Sequence, residues 1–399
     1  MKVIFAHNAY QQRGGEDSVV EAEIAMLRQH GHEVIEYRRH NDEITDTSRI
    51  SVALDTFWSR RTVDEIGKLI AEIKPDVIHS HNTFTLISPS LYWAASKAGV
   101  PVVQTLHNFR LLCPQAMFLR EGRVCEDCLG KVPWRGVVRA CYRDSIAQST
   151  VLAGMTTVHS MLGTWQHKVT RFIALNDFCR NKFIEGGLPA DKILVKPNFV
   201  DWQEDKLFFQ LASKRAKDAP FLFVGRLSEE KGISVLMQAA AILDESIVLR
   251  VAGDGSEAIQ LARVHGVTSL GAVSSDTVRS EMNRALALVM PSICYENFPR
   301  TLVEAFACGL PVIASRLGAM AELVKDGETG LLFEASNAAD LAEKLRWAQV
   351  NPDKMAVMGK NARRKYEAEF TAERNYAQLM AIYQEAIADN KNKKSRDVA

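Results

Sequence analysis

The chain has 399 residues, 47% of them hydrophobic and 24% charged, with a formal net charge of +1. That length exceeds the roughly 250 to 300 residues one core can serve, so two domains of about 200 residues are expected. The composition excludes a disordered or fibrous chain, and the near-neutral charge argues against a general nucleic-acid binder, which needs a broad basic excess.

The opening MKVIFAHNAY turns polar too soon for a signal peptide and reads as a first strand. No stretch approaches the ~18 to 20 apolar residues of a membrane-spanning helix. Seven cysteines without a signal peptide point to a reducing cytosol, with peripheral attachment to the inner face of the membrane as an option. Short β-branched runs then alternate with amphipathic stretches. Strands are expected over 3–6, 33–37, 76–79 and 101–105, and helices over 17–30, 62–74 and 90–97. Gly31 and Gly99 sit where helix stops belong. This is a βαβ rhythm, and a parallel sheet follows from it.

Between 107 and 150 the rhythm gives way to an insertion rich in Cys, Arg and Trp, longer than an ordinary connection. A helix over 151–168 and a strand over 171–175 lead to a domain boundary near 200, and the polar segment 201–219 suits a linker. The second half restarts the alternation, with strands over 220–224, 247–252, 287–291 and 311–314 and helices over 233–243 and 258–265. Helices over 338–347, 352–370 and 372–388 follow. The reading is an α/β chain of two Rossmann-like domains, 1–200 and 201–371. A C-terminal helix, 372–389, returns to the first domain, and the lysine-rich tail 390–399 reads as disordered.

The chemistry concentrates in PSICYENFPRTLVEAFACGLPVIA, residues 291–314. Pro299 suits a helix start and Gly309 its end, which puts Glu296 in the loop before the helix and Glu304 about one and a half turns inside. Backbone N–H groups of Asn297, Phe298 and Arg300 at a helix start attract anions, so a diphosphate fits there. Carboxylates beside it accept hydrogen bonds from sugar and ribose hydroxyls. The competing reading is a solvated helix with two ordinary glutamates. In FLFVGRLSEEKG a strand ending at Gly225 delivers Arg226 and Lys231 to the carboxyl edge of the sheet, where α/β folds bind ligands and two cations offset leaving-group charge. Solvated basic residues beside Glu229 and Glu230 are the competing reading there.

VGRL-x3-KG, AGDG and E-x7-E followed by GLPVIAS together resemble the C-terminal half of the family-4 retaining glycosyltransferases with the GT-B fold. RGGED, GHEV, PDVIHSHN and QTLHN agree in the N-terminal half, and the CEDC insertion resembles a subgroup in bacterial exopolysaccharide, capsule and O-antigen assembly. The resemblance implies an acceptor-binding first domain and a donor-binding second domain facing each other across a cleft. Arg226 and Lys231 would bind the donor diphosphate, and Glu296 would lie by the sugar or its phosphate. Glu304 would hold the ribose, and Asn297 and Phe298 would supply backbone donors. Gly14 and Gly15 match the family's anion-binding glycine loop. His107 matches a histidine near the reacting sugar. His79 reads as structural, and His81 falls between the two. The implied activity is retaining transfer of a hexose from a nucleoside-diphosphate sugar to a glycan or polyprenyl-diphosphate-linked glycan. With no DxD-like motif near the diphosphate, catalysis is expected to be metal-independent.

Cys113, Cys125, Cys128 and Cys141 give C-x11-C-x2-C-x12-C, which suits a structural zinc or four reduced, packed cysteines. Cys179, Cys294 and Cys308 read as packing residues. From 97 to 182, twelve Lys or Arg stand against five Asp or Glu. Trp134 with Arg135, Arg139 and Arg143 suits an anionic membrane or lipid-diphosphate acceptor, or a solvated basic face, and Trp58, Arg60 and Arg61 extend the patch. Gly253, Asp254, Gly255 and Ala258 fit a dinucleotide fingerprint, which keeps an NAD enzyme in view. A nucleoside-diphosphate-sugar epimerase of the same two-domain fold and a non-enzymatic nucleotide-binding subunit also stay in view.

Overall fold

The computed structural model describes residues 1–11, 14–202 and 218–398, with side chains through 392. Most of the expected linker 201–219 thus lies outside the described residues. The chain divides into two compact units. The first comprises 1–117, 126–198 and 372–399, and the second comprises 118–125 and 199–371.

The strands in chain order are β1 (Lys2–Ala9), β2 (Glu33–His40), β3 (Val77–Asn82), β4 (Val102–Thr105), β5 (Leu119–Arg120), β6 (Arg123–Val124), β7 (Arg171–Ala174) and β8 (Ile193–Val195). Then come β9 (Phe221–Val224), β10 (Leu249–Ala252), β11 (Val267–Gly271), β12 (Leu288–Met290), β13 (Val312–Ser315) and β14 (Gly330–Phe333). The first unit holds a six-stranded sheet in the order β2-β1-β3-β4-β7-β8, parallel throughout. Helices cover both faces of such a sheet, so its central strands are apolar on both sides. Val3, Ile4, Val77, Ile78, Val102 and Val103 are wholly buried. β3 departs from this pattern, because its second half is His-Ser-His-Asn and is also buried.

Helix Gly15–Gln29 packs Val19, Val20, Ile24 and Leu27 inward at helical spacing, and carries Glu23 in with them. The C-terminal helix, Ala372–Val398, belongs to the same unit. Leu379, Ile382, Tyr383 and Ala386 form its buried stripe, each large side chain contributing roughly 1.5–3 kcal/mol. Tyr376 stacks on His30 with ring centroids 3.7 Å apart, and its hydroxyl lies 2.9 Å from His32 Nε2. This helix corrects the expected disordered tail: residues 390–398 continue it. The sequence from Ala372 to Val398 contains neither Gly nor Pro to stop a helix, and the Asn390 amide donates to Gly99 O at 2.8 Å.

The insertion is not structureless. It contains the hairpin β5–β6, helix Trp134–Val138 and the first turn of helix Ile146–Met161. Glu121 and Gly122 both have φ near +50° to +70°, the left-handed pair that a type I′ turn requires.

The second unit repeats the architecture in the order β11-β10-β9-β12-β13-β14, again parallel. Its core gathers Leu222, Leu288, Val312 and Leu332 from the strands with Leu302, Val303 and Phe306 from helix Arg300–Ala307. Sheet order reverses at β9/β12, the place where α/β sheets open a crevice for ligands.

Candidate functional site

The loops leaving β9 and β12 meet at that reversal. The Ile293 N–H donates to Glu230 O at 3.0 Å, which ties them together. Lys231 Nζ donates to Glu296 Oε1 at 2.7 Å, and the Ser292 hydroxyl donates to the same oxygen at 2.7 Å. Burial pushes the Glu296 carboxyl up, but the Lys231 ammonium and the Ser292 hydroxyl outweigh it and hold the group below its ordinary value. Burial lowers Lys231 in turn, and Glu296 more than restores it. Both remain charged at neutral pH. Arg226 is two-thirds exposed, its guanidinium 4.0 Å from Glu230, and available to an incoming anion.

Glycines fix this geometry. Gly232 starts helix Ile233–Ala240 at φ +71°, and a Cβ there would lie 1.9 Å from Pro291 O. Gly253, in AGDG, would drive a Cβ to 1.8 Å from Gly225 O. These glycines therefore admit close backbone approach beside the loop that carries Arg226. Gly232→Ala is expected to destabilise the protein by at least ~2 kcal/mol, since a left-handed backbone and a backbone clash act together. An unchanged urea midpoint would contradict this.

Helix Arg300–Ala307 begins after Pro299, with Glu304 in its second turn. Burial raises the Glu304 carboxyl above its ordinary value, and Arg300 Nε at 3.0 Å only partly offsets this. Asn297 is buried and Phe298 is half-buried, its ring 6.2 Å from Phe370. The hairpin also reaches this unit. Phe118 is fully buried and meets Tyr295, the neighbour of Glu296, edge-on at 5.9 Å.

In the first unit His107 follows β4. Its Nε2 lies 2.8 Å from His81 Nδ1, with the rings stacked at 5.1 Å. Burial, with the nearby His7 and Lys196, takes its pKa down to about 3, so the imidazole is neutral. Gly14 and Gly15 open helix Gly15–Gln29, but the Gly14 N–H is already taken by Asp17 Oδ2 at 2.8 Å. The other Asp17 oxygen lies 2.8 Å from His7 Nε2. The anion-binding loop read from these glycines is therefore partly occupied by the chain's own carboxylate.

Sequence reasoning missed Glu23 and Lys196, the partners of the His79 and His81 already in view. Glu23 and Lys196 form a wholly buried ion pair at 2.7 Å. His79 reaches the Tyr383 hydroxyl at 2.7 Å and Thr105 Oγ1 at 2.8 Å. Ligand atoms of Glu23, His79 and His81 lie within 4.8 Å of one another, close enough to hold a metal ion, although the Lys196 ammonium already supplies a cation there. Glu16 is a further omission: its position beside the glycines in RGGED was the available signal. The Tyr10 hydroxyl donates to Glu16 at 3.1 Å, and burial raises its carboxyl to about 7 despite Tyr10 and Arg110. The folded state thus holds this proton more tightly than the unfolded chain. Glu16's contribution to stability is present below pH 4.5 and is lost as pH rises through about 7, by ~3 kcal/mol in all. Glu16→Gln should remove that loss, and urea midpoints at pH 5 and pH 8 measure it. Identical pH dependence in both proteins would contradict the assignment.

Cys113 is buried, and Cys125, Cys128 and Cys141 are half-buried. Cys113, Cys128 and Cys141 lie in the first unit and Cys125 in the second. Cys179, Cys294 and Cys308 are buried, and burial pushes the Cys294 thiol up to about 12. No helix among the described residues is long and apolar enough to cross a membrane.

Residues 204–365 match the family Glycosyl transferases group 1, and residues 13–204 match Glycosyltransferase Family 4. The chain is 30% identical over 269 residues to a phosphatidyl-myo-inositol mannosyltransferase of Mycobacterium leprae, covering 65% of this chain and 69% of that protein. It is 27% identical over 327 residues to a D-inositol 3-phosphate glycosyltransferase of Pseudarthrobacter chlorophenolicus, covering 75% and 68%. Among solved structures it is similar to Anabaena HepE in complex with UDP and glucose, with a TM-score of 0.65, 19% identity and coverage of 96% and 98%. It is also similar to sucrose-phosphate synthase from Thermosynechococcus elongatus, with a TM-score of 0.72, 18% identity and coverage of 97% and 99%. The fold is GT-B, as the sequence motifs imply.

Proposed function

Because the chain belongs to the group 1 and family 4 glycosyltransferases, we propose that it moves a hexose, with retention and without a catalytic metal, from a nucleoside-diphosphate sugar to a glycan or lipid-linked glycan in bacterial surface polysaccharide synthesis. The observation that carries this reading is the Lys231–Glu296–Ser292 cluster at the β9/β12 reversal. Lys231 and Arg226 meet the diphosphate and offset the charge that grows on it as it leaves. Glu296 holds Lys231 in place and accepts hydrogen bonds from the donor sugar. Glu304 takes the ribose hydroxyls, a role that requires it to exchange Arg300 for the nucleotide. Asn297 and Phe298 supply backbone donors, Gly15 with Gly14 borders the anion, and His107 serves the reacting sugar. The family leaves the NAD, epimerase and non-enzymatic readings without support.

An acceptor held at an anionic membrane is favoured by the surface of the first unit. Helices Arg49–Phe57 and Trp134–Val138 both pack on helix Ile146–Met161. Ile50, Leu54, Trp134, Val138, Ile146 and Met161 on these helices are exposed, among Arg135, Arg139 and Arg143. Apolar anchors amid arginines suit a headgroup interface. A structural zinc on Cys113, Cys125, Cys128 and Cys141 would hold the insertion together, and metal content of purified wild type and Cys128→Ser tests it.

The deciding experiment is thermal stabilisation and sugar transfer across UDP-, GDP- and dTDP-sugars, with and without EDTA. UDP-glucose is included because Anabaena HepE has been crystallised with it. Stabilisation by one nucleotide sugar that survives EDTA, with an α-linked product from an α-linked donor, supports the proposal. An inverted product, or activity abolished by EDTA and restored by a divalent cation, removes the corresponding part.

A further inference from the structure

The buried polar half of β3 does more than fill space. His79 and His81 share one face of the strand, at the spacing of two that a strand imposes, and both are wholly buried. His79 spends its two nitrogens on the hydroxyls of Tyr383 and Thr105. His81 sits instead between Glu23 and His107. Its Nδ1 lies 2.8 Å from His107 Nε2, and its Nε2 lies 3.5 Å from Glu23 Oε2. His81 Nε2 and Glu23 Oε2 are both buried, and neither makes a hydrogen bond among the described residues, so each faces the other unpartnered at ion-pair distance. The other Glu23 oxygen accepts from Lys196 Nζ at 2.7 Å, an ammonium that also donates to Asn375 Oδ1 at 3.1 Å.

The proton positions follow from valence. A carboxylate only accepts, so across 3.5 Å Glu23 favours the tautomer that turns a proton toward it, His81 Nε2–H. A neutral imidazole has one N–H, so His81 Nδ1 carries a lone pair and the proton between the two rings belongs to His107 Nε2. That leaves the lone pair of His107 on Nδ1. Burial keeps His81 well below its ordinary value and His107 at about 3, so both rings are neutral at physiological pH.

We propose that Glu23, acting through His81, fixes His107 as its Nε2–H tautomer, so that His107 Nδ1 stands as a hydrogen-bond acceptor for a sugar hydroxyl. Glu23 and His81 are then positioning residues, and Lys196 anchors the other Glu23 oxygen. The relay stands on geometry within the first unit, whereas its use in catalysis rests on the reading that His107 serves the reacting sugar. A metal ion held by Glu23, His79 and His81 is the competing use of this cluster. It would have to displace the Tyr383 hydroxyl from His79 and sit beside the Lys196 ammonium.

The test is nitrogen-detected NMR of the full-length protein labelled with ¹⁵N-histidine, with His107 assigned from its loss in His107→Asn. The expected wild-type spectrum shows Nε2 protonated and Nδ1 unprotonated in both His81 and His107. In Glu23→Gln the amide oxygen keeps Lys196 while its NH₂ faces His81, so the donor order reverses and His107 becomes the Nδ1–H tautomer. Turnover should then fall by about 10²-fold with little change in donor KM. A wild-type His107 protonated on Nδ1 overturns the proposal without recourse to any variant. An unreversed tautomer in folded Glu23→Gln overturns it as well. Reversal with unchanged turnover sustains the relay and removes His107 from the reaction, which separates the two failures.

Discussion

Replacing Lys196 with methionine is expected to lower stability by ~3–5 kcal/mol, the usual cost of leaving one member of a buried ion pair unpaired. Lys196 and Glu23 are both inaccessible to solvent and 2.7 Å apart. Removing the ammonium leaves the Glu23 carboxylate among His79, His81 and Tyr383, none of which carries positive charge at neutral pH. It also strips Asn375 Oδ1 of its donor. Glu23→Gln in the same background should recover much of the loss, because a neutral amide needs no counter-charge. Urea unfolding of the two single variants and the double variant measures this directly. Additive losses would mean that the two side chains do not depend on each other, contrary to their geometry.

Lys231→Ala should weaken donor binding and turnover together, by ~10²–10³ in kcat/KM. Two effects combine. The diphosphate loses a cation, and Glu296 loses the partner that holds it charged and oriented. Lys231→Arg is expected to restore only part of the activity, since a planar guanidinium cannot occupy a point position between Glu296 and a phosphate. Glu296→Ala should chiefly lower turnover, because the lysine proposed to contact the donor remains. Donor affinity by calorimetry alongside kcat separates these effects. Wild-type kinetics in both Lys231→Ala and Glu296→Ala would sink the proposed site.

Much of this is legible in the sequence because the periodicities are strong. Residues 3–6, 101–105 and 171–175 read as strands since parallel strands buried on both faces are continuous apolar runs, and β1, β4 and β7 occupy those positions. The loop-to-helix junction is readable from Pro299, which stands immediately before the helix at Arg300. Elements that the patterning does not reveal carry weaker local signals. β11 (VTSLG) is an edge strand with two of its five residues exposed and none buried, and helix Ser275–Arg284 is so polar that its main local cue is Ser274, whose hydroxyl caps it. The buried half of β3 is obscured for a different reason. Four polar residues in a row suggest a loop, and only tertiary partners from distant segments make them a strand. Glu23 and Lys196 are 173 residues apart, so nothing local marks either as buried. Glu16 and Asp17 are eclipsed by the glycines before them, which match a motif.

The return of the last helix to the first unit has a consequence for how the protein is made. His79 finds the Tyr383 hydroxyl, and Lys196 finds Asn375, only after the helix that follows the second unit has left the ribosome. Until then the nascent first unit exposes the groove that Leu379, Tyr383 and Ala386 will cover. The second unit, continuous from 199 to 371 apart from the hairpin 118–125, can close before it, so maturation runs against the direction of synthesis. A nascent chain arrested before residue 372 should therefore bind chaperones through its first unit.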